Sequence, residues 1–186
     1  MWLARRAAIR DLWGVIRLAD PSDVPEIARV HVRSWQAVYR GHMPDAFLDA
    51  LEPSQRIPLW TKAVVDPNAV VLVAAIGDAL AGFCSLMAAR DDDATPSIGE
   101  VTAIYVDPVR WRAGVGGGLM RDAFGAAAQR GFNELTLWVL TSNDRARRFY
   151  EQHGFAADGR TKVEQRAGFT LDGVRYRRAL GAHGAP

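Results

Sequence analysis

Apolar residues recur along this chain in two rhythms. From Val15 to Leu18, Val70 to Ile76, Leu80 to Met87, Gly99 to Val106 and Leu135 to Leu140 they crowd into short β-rich runs, the pattern of half- or fully buried strands. The stretch IARVHVRSWQAVYR instead spaces its apolar residues by three and four, the pattern of a helix. That helix should start after Asp20-Pro21-Ser22-Asp23, with Ser22 as N-cap and Pro25 in the first turn, and stop at Gly41. Asp45 to Val65 reads as a second helical piece broken at Pro53 and Pro58. Gly77-Asp78 between two apolar runs predicts a hairpin. A third helix should run from Val115 to Arg130, stopping at Gly131, and a fourth, capped by Ser142 or Asn143, should end at Gly154. Two last strands are expected near Lys162 to Glu164 and Val174 to Leu180. The order β-α-α-β-β-β-α-β-α-β-β predicts a layered, mixed α/β architecture.

Composition narrows the class. A chain of 186 residues, 49% hydrophobic, can bury one substantial core. No run of about 20 apolar residues suggests a membrane span. Asp11 interrupts the apolar stretch a secretory leader needs, so the expected compartment is the cytoplasm. Cys84 is the single cysteine and sits in the apolar run LAGFCSLM, where a buried hydrophobe is expected in preference to a catalytic thiol. His31, His42, His153 and His183 show no metal-ligand spacing, so no metal is assigned. A net charge of +2 argues against a nucleic-acid binder. Arginines nevertheless crowd the C-terminal part (Arg145, Arg147, Arg148, Arg160, Arg175, Arg177, Arg178), as a local anion site or as a solvated face. Lys62 and Lys162 are the only lysines among 23 basic residues, a bias associated with GC-rich bacterial genomes.

The chemistry concentrates in VDPVRWRAGVGGGLMRDAF, Val106 to Phe124. A glycine-rich turn entering a helix exposes backbone N–H groups at the positive end of the helix dipole, where phosphate oxygens bind. Spacing excludes two phosphate-binding motifs. No Gly-Lys pair exists for a Walker loop. A dinucleotide fingerprint would need a glycine where Leu119 stands, which leaves a nucleotide-binding oxidoreductase a poor rival.

Val106-Asp107-Pro108 followed by Gly114-Val115-Gly116-Gly117 resembles the acetyl-CoA signature of the GNAT superfamily of N-acetyltransferases, with Trp111 at the position usually held by Gln or Arg. Downstream, LWVLTSNDRARRFYEQHGF resembles a second segment of that family, matching at Asn143, Ala146, Phe149, Tyr150, Gly154 and Phe155. RVHVRSWQAVYRGHMPDAFLDAL resembles the first helices of bacterial members. The resemblance runs from Val15 to Leu180, which sets a domain at 15–181 between an N-terminal extension (1–14) and a tail (182–186). It implies the GNAT fold: a mixed, mostly antiparallel central sheet with helices on both faces.

The resemblance also implies an activity, the transfer of acetyl from acetyl-CoA to a small-molecule or peptide amine in a ternary complex. No nucleic-acid or membrane partner is implied, and homodimers are frequent in the family. Backbone groups of Ile104 and Val106 are implied to face the cofactor. Gly114, Val115, Gly116, Gly117, Arg112 and Asn143 are implied to hold it. Tyr150 matches the position of a proton donor to the leaving thiolate, with packing against the cofactor as its alternative. Glu100 matches a base position, acting directly or through water, or else is a surface carboxylate; strand alternation would place it on one face with Thr102 and Ile104. His31, Trp35 and Tyr39 share a helical stripe beside the implied acceptor pocket, or serve the core. The Asp91 to Asp93 run is expected to be solvated. A non-catalytic acyl-CoA-binding module on the same fold is the alternative function.

Overall fold

The computed structural model describes residues 14–77, 79–166 and 168–181. Apart from Gly14, the expected extension and tail lie outside the described residues, as does Asp78 of the hairpin turn. Seven strands form one sheet: β1 (Val15–Leu18), β2 (Val70–Ile76), β3 (Ala79–Ala88), β4 (Ile98–Val106), β5 (Glu134–Leu140), β6 (Ala156–Arg166) and β7 (Phe169–Ala179). Their spatial order is β1-β2-β3-β4-β5-β7-β6. Every neighbouring pair is antiparallel except β4 and β5. The helices are α1 (Val24–Val38), α2 (Asp45–Asp49), α3 (Ile57–Val65), α4 (Val115–Gln129) and α5 (Asp144–Gln152). No helix among the described residues is long and apolar enough to cross a membrane.

Strand β2 shows why the sheet is covered on both faces. Its even-numbered residues Val70, Leu72 and Ala74 join the core beneath α4, with Leu119, Met120 and Ala123. Its odd-numbered Val71 and Val73 join the core beneath α1 and α3, with Ile27, Val30 and Trp60. An alternating strand with no polar face can exist only between two layers. Truncating a fully buried Leu119 to alanine in such a core costs about 2–5 kcal/mol.

Several local expectations change. Asp20, not Ser22, caps the chain's first turn: its carboxylate accepts from the Ser22 amide while Asp23 reaches back to the Asp20 amide. That reciprocal box precedes a short 3-10 turn at Pro21–Asp23, and α1 starts only at Val24. It ends at Val38, before Gly41. Pro58 does not break a helix but sits in the first turn of α3, where its missing N–H costs nothing. β6 and β7 are each 11 residues long, well beyond the short strands expected from their polar, arginine-rich sequences.

The acidic run after β3 is also not simply solvated. Arg175 on β7, 2% exposed, donates to Asp93 at 2.6 Å, to Asp91 at 3.0 Å and to Asp158 at 2.7 Å. Arg177 adds pairs to Asp93, Asp158 and Glu134. Asp91 in turn accepts from the Trp138 indole at 3.2 Å. Hydrogen bonding from Arg175 holds Asp93 far below the usual carboxylate range; Asp158, though burial opposes it, is held low by the same guanidinium.

Depressed carboxylates stabilise the fold above their unfolded pKa of about 3.9, and lose that contribution as pH falls through their folded values. Wild-type Tm should therefore hold from pH 8 to pH 5 and decline below pH 4. Arg175→Met removes the guanidinium that joins Asp91, Asp93 and Asp158 and leaves Arg160 and Arg177 on Asp93 and Asp158 alone. With part of the stabilisation by depressed carboxylates gone, its Tm should be lower at neutral pH and decline less steeply than the wild type below pH 4. Thermal melts across these pH values decide it; parallel profiles for the two proteins would refute the clasp.

Candidate active site

The site begins where the sheet stops being a sheet. β4 and β5 pair over three positions only, Ile98 with Glu134, Gly99 with Leu135 and Glu100 with Thr136. Immediately beyond, a bulge leaves Thr102 as an extra residue on β4, between the Val101–Leu86 and Ala103–Ser85 pairs. Bulges bend a strand and raise its twist, and here β4 turns away from β5. β4 keeps β3, and β5 keeps β7, so their facing edges pair with no other described strand. The gap opens into a cleft of about 1040 Å³ lined by β4, β5, α1, α5, β6 and the glycine loop.

The cleft edge carries usable backbone donors. The Asp107 amide donates to Ala81 on the β3 side at 2.8 Å. Alternation therefore turns the groups of Val106 and Ile104 toward the gap. The Val106 carbonyl already accepts from Ser34 Oγ at 3.0 Å and from Trp111 Nε1 at 2.8 Å. What Val106 still offers a ligand is its N–H.

At the mouth, Gly114 takes the left-handed conformation (φ 81°) and enters α4 with no side-chain cap. The first helical bond closes from Gly118 to Gly114 at 3.0 Å. The amides of Val115, Gly116 and Gly117 are thus the orphan donors every helix start leaves. Val115 is fully buried, so it can offer only its backbone. Gly116 has no spare room: a Cβ would lie 3.3 Å from the Phe149 ring. Arg110, Arg112, Arg145 and Arg148 line the same opening and form no ion pair among the described residues. Arg145 stacks 3.8 Å over Trp111; desolvation, then the charge of Arg112, lowers its pKa. Arg112 is the one described non-glycine residue with positive φ, 63°. That strain, about 1–2 kcal/mol, aims a guanidinium at the cleft mouth. Trp111 thus forms the shelf on which a charge rests.

Tyr150 lines the cleft from α5. Burial pushes its phenol well above the ordinary value near 10, so it stays a proton donor at neutral pH. Asn143 also lines the cleft; its Oδ1 caps α5 by accepting from the Ala146 amide at 3.1 Å, leaving the side-chain NH₂ uncommitted. Glu100 is in the lining but not on the expected face. The Thr102 bulge breaks alternation, so Val101, Ile104 and Val106 share the α4 side and Glu100 points the other way. Arg90 binds both of its oxygens, at 3.0 and 3.1 Å. Trp35 and Tyr39 line the cleft; His31 does not. His31 is buried behind them, accepting from Trp60 Nε1 at 3.0 Å.

Residues the sequence did not single out also line the wall, among them Ser34, Tyr105 and Trp138. None carries a local motif; each reaches the cleft through pairings many residues away. Among the described residues no three His, Cys, Asp or Glu side chains are grouped to hold a metal ion.

Comparison with known proteins agrees with this geometry. The profile of the Acetyltransferase (GNAT) family matches residues 25–155. A probable N-acetyltransferase of Mycobacterium tuberculosis is 27% identical over 168 residues, covering 87% of this chain and 91% of the relative. The uncharacterized N-acetyltransferase YuaI of Bacillus subtilis is 28% identical over 128 residues, covering 69% and 72%. Among solved structures, the PaiA N-acetyltransferase of Thermoplasma acidophilum in complex with coenzyme A superposes with a TM-score of 0.69 at 20% identity, covering 89% of this chain and 98% of that one. The putative acetyltransferase YncA of Salmonella typhimurium, with acetyl-CoA, gives 0.69 at 22% identity, covering 92% and 96%.

Replacing Arg112 by glycine separates strain from binding. Affinity for acetyl-CoA, the ligand the sequence resemblance implies, should fall roughly tenfold, as for one lost charge-assisted hydrogen bond. Tm should hold or rise, because the left-handed strain is gone. Calorimetry with thermal melts checks both; a lower Tm with unchanged affinity would contradict the assignment.

Proposed function

The chain belongs to the acetyltransferase (GNAT) family, and from that premise we propose that it moves the acetyl group of acetyl-CoA onto a primary amine within a ternary complex. The observation that carries this reading is the split between β4 and β5 with the α4 N-terminus at its mouth. The residues present fit the coenzyme. The amides of Val115, Gly116 and Gly117 and the four arginines receive its phosphates. Its amide-bearing arm lies along the unpaired strand edges. Bound there, the coenzyme supplies an activated thioester.

The acceptor nitrogen attacks the thioester carbonyl carbon as a free amine, the C–N bond forms and the C–S bond breaks. A gap-facing N–H of Ile104 or Val106 stabilises the negative charge that develops on the carbonyl oxygen. Tyr150 gives its proton to the departing sulfur, whose conjugate acid has a pKa of about 8.5. Asn143 holds the start of α5, and so Tyr150, in register. Glu100 takes the amine proton, directly or through water, once the largely exposed Arg90 swings off it. The products are the N-acetylated amine and the coenzyme thiol, and solvent returns a proton to Tyr150 as Glu100 releases the one it took. The acceptor is a small-molecule or peptide amine.

Two experiments test this. Calorimetric titration should show acetyl-CoA binding to the wild type and its loss in Gly116→Trp, whose ring would have to displace Phe149. No binding to the folded wild type removes both the transferase and any acyl-CoA-sensing role, whereas binding without thiol release on any amine leaves only the sensor.

Tyr150→Phe should then lower turnover by about a hundredfold with acetyl-CoA affinity retained. With the phenol pKa raised, the wild type should show no alkaline decline below about pH 10. Glu100→Gln should lose most activity at low pH, where the amine most needs a base. Unchanged turnover in Tyr150→Phe would remove Tyr150 from the donor role, and a wild-type pH profile in Glu100→Gln would sink the base.

A further inference from the structure

An ion pair stands where the amine must lose its proton. Arg90 and Glu100 both line the cleft. Arg90 Nε donates to one Glu100 oxygen at 3.1 Å and Nη2 to the other at 3.0 Å, the forked geometry with which a guanidinium recognises a carboxylate. The partners differ in freedom. The Glu100 side chain is 10% exposed and held on β4, whereas that of Arg90 is 63% exposed and leaves the loop after β3. Whatever opens the pair moves Arg90 and leaves Glu100 in place.

Opening it has a condition. A buried carboxylate stripped of its counter-ion is strongly disfavoured, so the incoming acceptor has to bring a positive charge to Glu100. Arg90 then loses its own partner, and its fork is left facing the same space.

The neighbouring charges are already matched. Glu164, the other acidic side chain among the described residues that line the cleft, pairs with Lys162 at 3.0 Å and with Arg166 at 2.8 Å. These three alternate residues share one face of β6, and Lys162 rests 4.5 Å over the Trp138 ring. Trp138 donates to Asp91, the residue next to Arg90, and Arg175 holds Asp91 in turn. This end of the cleft thus sets Arg90, Lys162 and Arg166 against Glu100 and Glu164. A polyamine or an aminoglycoside would find one carboxylate for its several charges and would leave the Arg90 fork empty. A molecule with an amine and a carboxylate on the same carbon answers both: its ammonium replaces the guanidinium on Glu100, and its carboxylate fills the fork. The exchange leaves every charge compensated.

We propose that Arg90 determines acceptor specificity by receiving a carboxylate carried beside the reacting amine, and that the acceptor is a free amino acid rather than a polyamine, an aminoglycoside or a peptide N-terminus. This rests on the acetyl-transfer reading above. The acceptor enters as a zwitterion, gives its ammonium proton to Glu100 directly or through water, and attacks the thioester while Arg90 holds its other end. The step that loads the acceptor is the step that frees the base.

The test uses the full chain with acetyl-CoA. Thiol release is followed on proteinogenic amino acids other than cysteine, on the corresponding amino acid amides, on spermidine and on an aminoglycoside, with kcat/KM corrected for the neutral fraction of each amine. The amide keeps side chain and amine and stands in for a peptide N-terminus. Amino acids that are turned over should be preferred to their amides by at least about tenfold, as for a lost hydrogen bond between charged groups. In Arg90→Gln that ratio should collapse toward unity, mainly through a higher KM for the acid, while calorimetric binding of acetyl-CoA reports that the variant has folded. If Arg90 merely shielded Glu100, the variant would change acids and amides by one factor and keep the ratio. That result, a wild-type ratio near one, or turnover confined to amides, spermidine or the aminoglycoside overturns the proposal. Absence of acetyl-CoA binding, or binding without thiol release on any amine, would instead be a failure of the transferase reading itself.

Discussion

The molecule is organised by the place where two parallel strands part. Three paired positions join β4 to β5, and the extra residue at Thr102 then forces divergence. Backbone groups along a buried strand edge demand partners. Splitting the sheet creates a row of such demands inside the fold, where an extended, amide-bearing ligand can answer them. The flanking layers keep the split from closing. α4 fills one side with Val115, Leu119 and Met120; α1 fills the other and ties Ser34 to the Val106 carbonyl.

A sheet cut halfway needs reinforcement at its closed end. The Arg175 cluster supplies it. Asp91 and Asp93 follow β3 and belong to the β1–β4 half, whereas Arg175, Arg177, Asp158 and Glu134 belong to the other. Their mutual bonds clasp the halves beside the surviving β4–β5 pairs. Charges this well compensated are costly to bury one by one, and together they fix which loop lies against which strand. The crowding of arginines near the C-terminus thus has two explanations: those at positions 175 and 177 serve the clasp, and Arg145 and Arg148 line the mouth of the cleft.

Local spacing made much of this legible. The turn glycines, the Asn143 cap and Tyr150 could be placed because each is set by residues within one or two turns of it. The hydrophobic runs located β1 to β5, whereas the polar β6 and the arginine-rich β7 were placed only in part. What escaped depends on partners distant in the chain. The face of Glu100 is decided by a bulge whose register involves Ser85 and Leu86, and its neighbour Arg90 lies across a loop. Asp91 and Asp93 look like solvent-exposed loop residues until β7 brings Arg175 beneath them. His31 shares a stripe with Trp35 and Tyr39, but Trp60, 29 residues on, draws it behind the wall. Ser22 lost the cap to Asp20 because a 3-10 turn intervenes before α1.

Cys84 is the chain's one cysteine. It is fully enclosed in the core beneath α4, with its thiol pushed up to about 12. Thiol–disulfide exchange requires an accessible thiolate, and this residue offers neither the access nor the charge. A protein whose reaction liberates a free thiol at every turnover, among coenzyme molecules that oxidise to disulfides, therefore cannot be captured by its own product. It is inert to the redox traffic its chemistry generates.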